Sequence, residues 1–224
     1  MHERIANAPR ALTDWQVALD HLRGALPTCR VEMRFADLAP TPQTVSGRNR
    51  RAAQFATGRF AAAAAGARLT GLPCCVGRGL DGAPHWPSGL CGSISHCNDR
   101  SVAMVGHRAN WCGLGVDIEQ RLSSKIAQEI APVALTSYEQ ANFGNDPLWV
   151  TLIFSAKESL FKALSPLINR RFDFDAAELC LNSHLIPHLR LTCDLAPDWR
   201  AGHMIKPLFV PCVAGVLTAV ALPV

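Results

Sequence analysis

The sequence lacks an apolar run long enough to cross a bilayer. Its longest apolar stretch, residues 208–222, is broken by Pro211 and falls short of the roughly 20 residues that a transmembrane helix needs. Residues 1–10 carry charged side chains and no apolar run follows them, so we expect no signal peptide and no membrane span. The chain is therefore expected to be a soluble cytoplasmic protein.

Aromatic residues are few, at 7% of the chain, with a single tyrosine. Proteins that bind single-stranded nucleic acid set aromatic side chains among basic ones, and the net charge of +4 is also small. A nucleic-acid-binding module is therefore a non-enzymatic alternative that the composition disfavours. With 49% hydrophobic residues, the 224-residue chain can bury a core, either as one large domain or as two closely packed small ones.

The nine cysteines do not form the pattern of a disulfide scaffold or of a zinc site. Their number is odd, and the chain is far longer than the small secreted domains that disulfides stabilise. Cys91, His96 and Cys97 could be considered as zinc ligands, but the paired Cys-x-x-Cys spacing is missing. We expect reduced thiols and no zinc.

Hydrophobic periodicity and turn residues predict a mixture of helices and strands. Helices are predicted at 10–26, from an N-cap at Ser46 to about Leu69, near 123–131, from Ser137, and over 148–164. Strands are predicted at 31–35, around Ile94, at 102–105, at 113–119, and as short antiparallel strands in the last 50 residues. Residues 77–92 contain five glycines and two prolines, which predicts an irregular loop.

Two acids on one predicted strand form the first candidate site. Residues 113–119 read GLGVDIE, and side-chain alternation puts Asp117 and Glu119 on one face and Ile118 on the other. Two carboxylates about 7 Å apart repel each other unless a cation lies between them, and Mg²⁺ prefers oxygen ligands of this kind. The alternative is a pair of solvated acids on an edge strand.

A third acid lies in the predicted helix FSAKESLFKAL at 154–164. Glu158 and Lys162 share one helix face, whereas Lys157 points elsewhere. Two structural alternatives compete with a functional role: Ser155 and Glu158 have the spacing of a capping box, and Glu158 and Lys162 that of a surface ion pair. The apolar run from Leu148 indicates an earlier helix start, which weakens the capping alternative.

Basic side chains and hydroxyls offer two candidate phosphate contacts. Arg51 and Arg59 lie about 80° apart around their predicted helix and could converge on one phosphate, although such clusters are usually a solvated face. Residues 92–96 read GSISH and would place Ser95, His96 and backbone N–H groups in one short turn, a suitable phosphate cradle. A serine hydrolase is disfavoured because a nucleophile elbow requires Gly-x-Ser-x-Gly.

Four segments stand in a specific order and spacing: RRAAQFATGR at 50–59, GAPHWPSGLCGSISH at 82–96, GVDIE at 115–119 and FSAKESLFKAL at 154–164. Together they resemble the 4′-phosphopantetheinyl transferase superfamily, and within it the large two-lobed class of the enterobactin-synthase and surfactin types. The resemblance covers about half of the chain. Any one segment alone would be a weak signal, whereas the four in order are specific.

The resemblance implies an α+β fold of two similar α/β lobes in a pseudo-twofold arrangement, which we place at 1–112 and 113–224. The implied activity transfers the 4′-phosphopantetheine group of coenzyme A, with Mg²⁺, to a serine of an apo acyl- or peptidyl-carrier protein and releases 3′,5′-ADP. Siderophore, nonribosomal peptide or polyketide biosynthesis is the implied pathway, and a monomer is expected. The alternative enzyme is another Mg²⁺-dependent phosphotransferase or a nucleotide hydrolase.

The superfamily's site residues carry over onto matching positions. Its metal-binding acids match Asp117, Glu119 and Glu158, and Glu158 also matches the proposed general base. Its phosphate-contacting lysines match Lys157 and Lys162, of which Lys162 is the expected catalytic contact. Its contacts to the 3′-phosphate of coenzyme A match Arg51, Arg59 and His96, with Ser95 beside them.

Two positions depart from the superfamily's pattern. Some members carry an acid at the position of Gln54 and a basic residue at the position of Ala83. The nearest basic side chain in this loop is Arg78. We therefore include Arg78 among the candidate contacts to coenzyme A.

Overall fold

The computed structural model describes residues 14–26, 31–37, 47–80, 82–98, 100–168, 171–181 and 186–224. The predicted N-cap at Ser46 and residues 10–13 of the first predicted helix lie outside these segments. The helices are α1 (Trp15–Gly24), α2 (Gly47–Thr70), α3 (Ser124–Ala134), α4 (Ser137–Phe143) and α5 (Pro147–Ile168). The strands are β1 (Val31–Asp37), β2 (Gly77–Arg78), β3 (Pro84–His85), β4 (Leu90–Cys97), β5 (Arg100–His107), β6 (Trp111–Gln120), β7 (Ala177–Leu181), β8 (Pro187–Leu191), β9 (Met204–Ile205), β10 (Leu208–Pro211) and β11 (Gly215–Pro223).

Each half of the fold repeats one topology, a strand followed by a long helix and an antiparallel hairpin. In the first half, β1 precedes α2 and the β4–β5 hairpin, and the sheet order is β1–β5–β4. In the second half, β6 precedes α5 and the β10–β11 hairpin, and the order is β6–β11–β10. In each sheet the strand that comes last in the chain, β5 or β11, is central and pairs antiparallel with both of its neighbours. The predicted α+β fold of two similar lobes is confirmed.

The two sheets share a core, and the long helices cover their outer faces. The shared core joins Met33 and Met104 of the first lobe to Val116 and Leu217 of the second, with Leu19 of α1 packed beside them. Separate clusters of buried residues lie under α5 and under α2. Strands β4 and β6 lie next to each other where the lobes meet. Side chains from both lobes can therefore reach one site at this seam.

Two glycines on β6 allow α5 to approach the sheet closely. A Cβ atom at Gly115 would overlap the carbonyl oxygen of Ser159, and one at Gly113 would overlap that of Ala163. Because side chains alternate along a strand, the face that carries these glycines also carries Asp117. The predicted shared face of the GLGVDIE segment thus lies against α5.

Two local predictions differ from the structure. Residues 77–92, predicted as irregular loop, contain the β2–β3 hairpin and the start of β4. The predicted turn at GSISH is wrong, because residues 92–96 belong to β4 and pair with β5 along the whole strand. Ser95 and His96 are neighbours on this strand and consequently point to opposite faces.

The C-terminal third contains the predicted antiparallel strands. Strands β7, β8 and β9 form a small sheet of their own, and β10 and β11 complete the second lobe. The predicted helices near 123–131, from Ser137 and over 148–164 correspond to α3, α4 and α5. Within the described segments, we find no helix whose length and apolarity would let it span a membrane.

Candidate active site

Asp117 on β6 is the most buried of the three predicted metal-binding acids, with 2% of its surface exposed. Ser95 Oγ on β4 donates to its Oδ1 at 2.7 Å, and Ser155 Oγ on α5 donates to its Oδ2 at 2.7 Å. Lys162 Nζ lies 2.6 Å from Oδ1 and also donates to Ser95 Oγ at 3.0 Å. Asp117 is therefore an ion-paired acid at the seam between the lobes, and the alternative of a solvated acid is wrong for it.

Glu119 and Glu158 place further negative charge around this ion pair. Burial is the main cause that raises the pKa of Glu119 to about 7. The charges of Asp117 and Glu158 add to this shift, and the charge of Lys162 opposes it. Burial also raises the pKa of Glu158, where Lys162 opposes the shift and Asp117 adds to it. One lysine cannot neutralise three carboxylates, so the site favours either an extra proton or an extra cation.

The oxygen donors of this site suit Mg²⁺, although three of them do not converge on one point. Among the residues that the structure describes, no group of three His, Cys, Asp or Glu side chains is placed to hold a metal ion. Mg²⁺ commonly takes only one or two protein carboxylates and fills its remaining positions with water and substrate phosphate. The excess negative charge and the shared strand face of Asp117 and Glu119 therefore fit this ion.

The raised pKa of Glu119 predicts that stability falls as the pH rises. An acid with a higher pKa in the folded protein binds more protons there than in the unfolded chain. Its stabilising contribution is therefore fully present below about pH 4.5 and is lost as the pH rises through about 7. Without divalent cations, the free energy of unfolding in urea should fall more between about pH 5 and about pH 7.5 for the wild type than for Glu119→Gln. Equal changes in the two proteins would contradict the raised pKa.

Glu158 lies in the interior of α5 and not at its start. The helix begins at Pro147, so the alternative in which Ser155 and Glu158 form a capping box is wrong. The alternative of a surface ion pair between Glu158 and Lys162 does not hold either, because Lys162 is paired with Asp117. Neither alternative therefore accounts for the position of Glu158.

Lys157 is not brought together with these acids. Its ammonium group lies 2.6 Å from Glu139 Oε2 and 2.9 Å from the Ala134 carbonyl oxygen, in an ion pair whose side chains are 2% and 0% exposed. Burial lowers the pKa of Lys157, and Glu139 opposes that shift. Glu139 also forms a capping box with Thr136 at the start of α4. The phosphate role of Lys157 remains a prediction, and the structure shows a lysine that joins α4 to α5.

Replacing Lys157 with methionine should lower the free energy of unfolding by about 3–5 kcal/mol, because it leaves the carboxylate of Glu139 buried without its counter-ion. Urea unfolding measures this loss, and Lys125→Met, at an exposed position on α3, is the control without an expected effect. A Lys157→Met protein of normal stability but weakened coenzyme A binding would instead support the phosphate role.

A second group of basic side chains lies on the first lobe. The guanidinium carbons of Arg59 on α2 and Arg78 on β2 lie 4.6 Å and 5.7 Å from the centre of the Phe55 ring. Burial, and then the charge of Arg78, lower the pKa of Arg59. The Nε atom of Arg59 is buried without a hydrogen-bond partner. Two like charges beside an unsatisfied buried donor favour an anion at this place.

Arg51 and His96 are exposed, on α2 and on β4 respectively. His96 shares its strand face with Ile94, which packs in the core beneath α2. That face is opposite the one through which Ser95 reaches Asp117. Ser95 and His96 of the GSISH segment therefore lie on opposite strand faces, toward Asp117 and toward α2 respectively. The roles of Arg51 and His96 toward a phosphate remain predictions.

Three features of this region were not predicted from the sequence. Ser155 donates to Asp117, and Thr218 on β11 lies behind both of them. A cavity of about 230 Å³ opens beside Glu158, with Phe161 and Phe172 in its wall. In the sequence, Thr218 stands out as an isolated hydroxyl in the otherwise apolar strand β11, but this pattern does not indicate which residue it contacts.

Two family models match the chain on either side of the seam. The 4′-phosphopantetheinyl transferase N-terminal domain matches residues 43–106, and the 4′-phosphopantetheinyl transferase superfamily matches residues 113–215. The two matches together cover about three quarters of the chain. The chain belongs to the 4′-phosphopantetheinyl transferase superfamily. The resemblance inferred from the four sequence segments is thereby confirmed.

Several curated members of the superfamily are similar to this chain. Enterobactin synthase component D of Salmonella typhi is 39% identical over 152 residues, which are 63% of this chain and 62% of that protein. The 4′-phosphopantetheinyl transferase Svp of Streptomyces mobaraensis is 39% identical over 59% of this chain and 56% of its own length. The 4′-phosphopantetheinyl transferase Npt of Nocardia iowensis is 30% identical over 58% and 59%, respectively. The chain therefore spans less than two thirds of the length of these relatives.

The two superfamily matches divide the described groups between them. The N-terminal match contains Arg59, Arg78 and Ser95, and the second match contains Asp117 and Lys162. The hydrogen bonds that Ser95 makes with Asp117 and with Lys162 therefore connect the two matched regions. A site at this place requires both regions in one folded unit.

Proposed function

We propose that this chain transfers the 4′-phosphopantetheine group of coenzyme A to a serine of an apo acyl- or peptidyl-carrier protein and releases 3′,5′-ADP. The observation that carries the proposal is the partly buried ion pair of Asp117 and Lys162 at the seam of the lobes, flanked by two acids of raised pKa. This arrangement suits a phosphorylated substrate, because it combines a lysine for phosphate oxygens with acids that require a cation.

The proposed reaction forms a bond between the carrier serine oxygen and the β-phosphorus of coenzyme A, and breaks the bond from that phosphorus to the bridging oxygen. The serine proton passes to Glu158, directly or through water. The raised pKa of Glu158 brings it closer to neutral pH, which favours a general base. Lys162 stabilises the negative charge on the phosphate oxygens and remains oriented by Asp117 and Ser95.

We assign Asp117, Glu119 and Glu158 as the residues that would hold Mg²⁺, together with the diphosphate of the substrate. When bound, this ion supplies charge neutralisation of the diphosphate. The proposed division of the chain at 112/113 puts all three acids on the second lobe. The first lobe contributes Ser95 to the ion pair and the basic group around Arg59.

The 3′-phosphate of coenzyme A is proposed to bind at Arg59 and Arg78, with Arg51 and His96 as further contacts. Support comes from the buried, unpartnered Nε of Arg59 and from the placement of both guanidinium groups beside the Phe55 ring. A phosphate at this place would satisfy the donor and offset the like charges. Lys157 is kept as a candidate contact to coenzyme A, with the stability test above deciding its role.

Arg59→Ala should weaken binding of coenzyme A much more than binding of 3′-dephospho-coenzyme A. The first ligand loses a charge-assisted contact worth roughly 1.5–3 kcal/mol, and the second has no 3′-phosphate to lose. Calorimetric titration of both ligands measures the difference. Arg68→Ala, an exposed arginine in the last turn of the same helix, is the matched control. Equal losses for the two ligands would show that Arg59 does not contact the 3′-phosphate.

The carrier is proposed to belong to siderophore, nonribosomal peptide or polyketide biosynthesis, in the cytoplasm, and the enzyme is proposed to act as a monomer. The test is incubation of the purified protein with coenzyme A, Mg²⁺ and a panel of apo-carrier proteins, read by intact mass. A carrier heavier by one phosphopantetheine supports the proposal. Release of a free nucleotide with no change in any carrier would indicate a nucleotide hydrolase and overturn it.

A further inference from the structure

Three buried hydroxyl groups form a chain behind Asp117. Ser155 and Ser159 on α5 and Thr218 on β11 each have 0% of their surface exposed. Ser155 Oγ and Ser159 Oγ lie 2.9 Å and 2.7 Å from Thr218 Oγ1, and Thr218 is the cross-strand partner of Asp117. A buried hydroxyl without a partner costs stability, so each proton in this cluster needs an acceptor.

One assignment of the protons satisfies all three hydroxyls. Thr218 donates to the Ser155 carbonyl oxygen at 2.9 Å and can therefore accept from Ser159. The proton of Ser155 is then left for Oδ2 of Asp117 at 2.7 Å. This choice is favoured because a hydrogen bond to a charged carboxylate is stronger than one between neutral hydroxyls. Ser155 thus donates to the carboxylate oxygen opposite the one that Lys162 contacts.

We propose that Ser155 is a positioning residue, whose hydroxyl fixes the rotation of the Asp117 carboxylate, and that Thr218 holds Ser155 in place. Within the described segments, Oδ2 of Asp117 has the Ser155 hydroxyl as its single hydrogen-bond donor. Loss of this donor leaves the carboxylate held only through Oδ1, by Ser95 and Lys162, so that its rotation about this oxygen is no longer fixed. Removing an outer partner that orients a carboxylate ligand typically costs roughly 10–100-fold in metal affinity or activity. The inference rests on the proposed function, in which Asp117 faces Mg²⁺.

Ser159 is a matched control within the same helix. It is as buried as Ser155, and its hydroxyl binds the same Thr218 oxygen, but its hydrogen bond goes to Thr218 and not to Asp117. Ser159→Ala should therefore disturb the packing of the cluster about as much as Ser155→Ala does. The two variants should differ in any property that depends on the orientation of Asp117.

The experiment compares Ser155→Ala, Ser155→Thr and Ser159→Ala with the wild type. Binding of Mn²⁺ to the protein alone is followed by electron paramagnetic resonance, and the Mg²⁺ dependence of transfer is measured separately. Ser155→Ala should weaken metal binding roughly 10–100-fold, and Ser155→Thr should retain it because the hydroxyl remains. Ser159→Ala should bind Mn²⁺ like the wild type, at a melting temperature similar to that of Ser155→Ala.

Equal Mn²⁺ affinity of Ser155→Ala and Ser159→Ala would overturn the inference and leave Ser155 a packing residue. If Ser155→Ala does not fold, Ser155→Cys decides, because it keeps the size but donates a weaker hydrogen bond. Wild-type affinity in that variant would also overturn the inference, as would a wild type that binds no Mn²⁺. A wild type that binds Mn²⁺ in a manner dependent on Ser155 but modifies no carrier would overturn the proposed function alone.

Discussion

An Asp117→Asn protein should remain folded and transfer phosphopantetheine at a rate lower by at least about 10²–10³-fold, the usual cost of removing one preorganised electrostatic group. Asparagine keeps the shape of the side chain, but it removes the charge that pairs with Lys162 at 2.6 Å. Lys162 has 23% of its side chain exposed and can turn to solvent, so the fold should survive the loss of its partner. The proposed Mg²⁺ site also loses its most buried acid.

The measurement is the transfer rate at saturating coenzyme A, together with circular dichroism and urea unfolding. Asp20→Asn is the control, because Asp20 is an exposed acid of α1 whose ion pair is with Arg23, three residues further along the helix. That variant should transfer at the wild-type rate. Normal turnover by Asp117→Asn at physiological Mg²⁺ would contradict the assignment of this acid to the site.

Glu158→Gln is expected to lower the transfer rate by about 10²–10⁴-fold, the range for loss of a general base. The substitution is nearly isosteric, and Glu158 is in the interior of α5 and does not cap it, so stability should barely change. Had Glu158 been a capping-box residue, the change would be nearly silent, because glutamine also fills that position. A stable variant with near-normal rate would remove Glu158 from the site.

A Mg²⁺ titration of Glu158→Gln separates its two proposed roles. Partial recovery of the rate at high Mg²⁺ would indicate that Glu158 acts mainly as a metal ligand. A stable variant that excess Mg²⁺ does not rescue would indicate the general base. The titration is meaningful only beside a thermal melt, because a destabilised protein loses activity for unrelated reasons.

The acids of the site were predictable because strand geometry is local. The alternation of side chains along GLGVDIE is enough to place Asp117 and Glu119 on one face, and the helical repeat is enough to place Glu158 and Lys162 together. The start of α5 was also indicated, since the apolar run before Ser155 continues the helix toward its beginning at Pro147.

The partners of these groups were not predictable, because they come from other parts of the chain. Lys157 pairs with Glu139, which lies 18 residues away, and Lys162 pairs with Asp117, 45 residues away. Which lysine reaches which acid depends on the rotation of α5 against the sheet. The capping-box spacing illustrates the same limit: Ser155 and Glu158 have it inside a helix and form no box, whereas Thr136 and Glu139 have it at a helix start and do form one.

Gly113 and Gly115 bring the backbone of β6 against the backbone of α5 with no side chain between them. The positions of Glu158 and Lys162 relative to Asp117 therefore depend on a contact that cannot repack, since two main chains in contact can only separate when an atom is inserted. In evolutionary terms, the chemistry depends on two residues that have no functional group. Selection should remove drift at these positions as strictly as drift at the acids themselves.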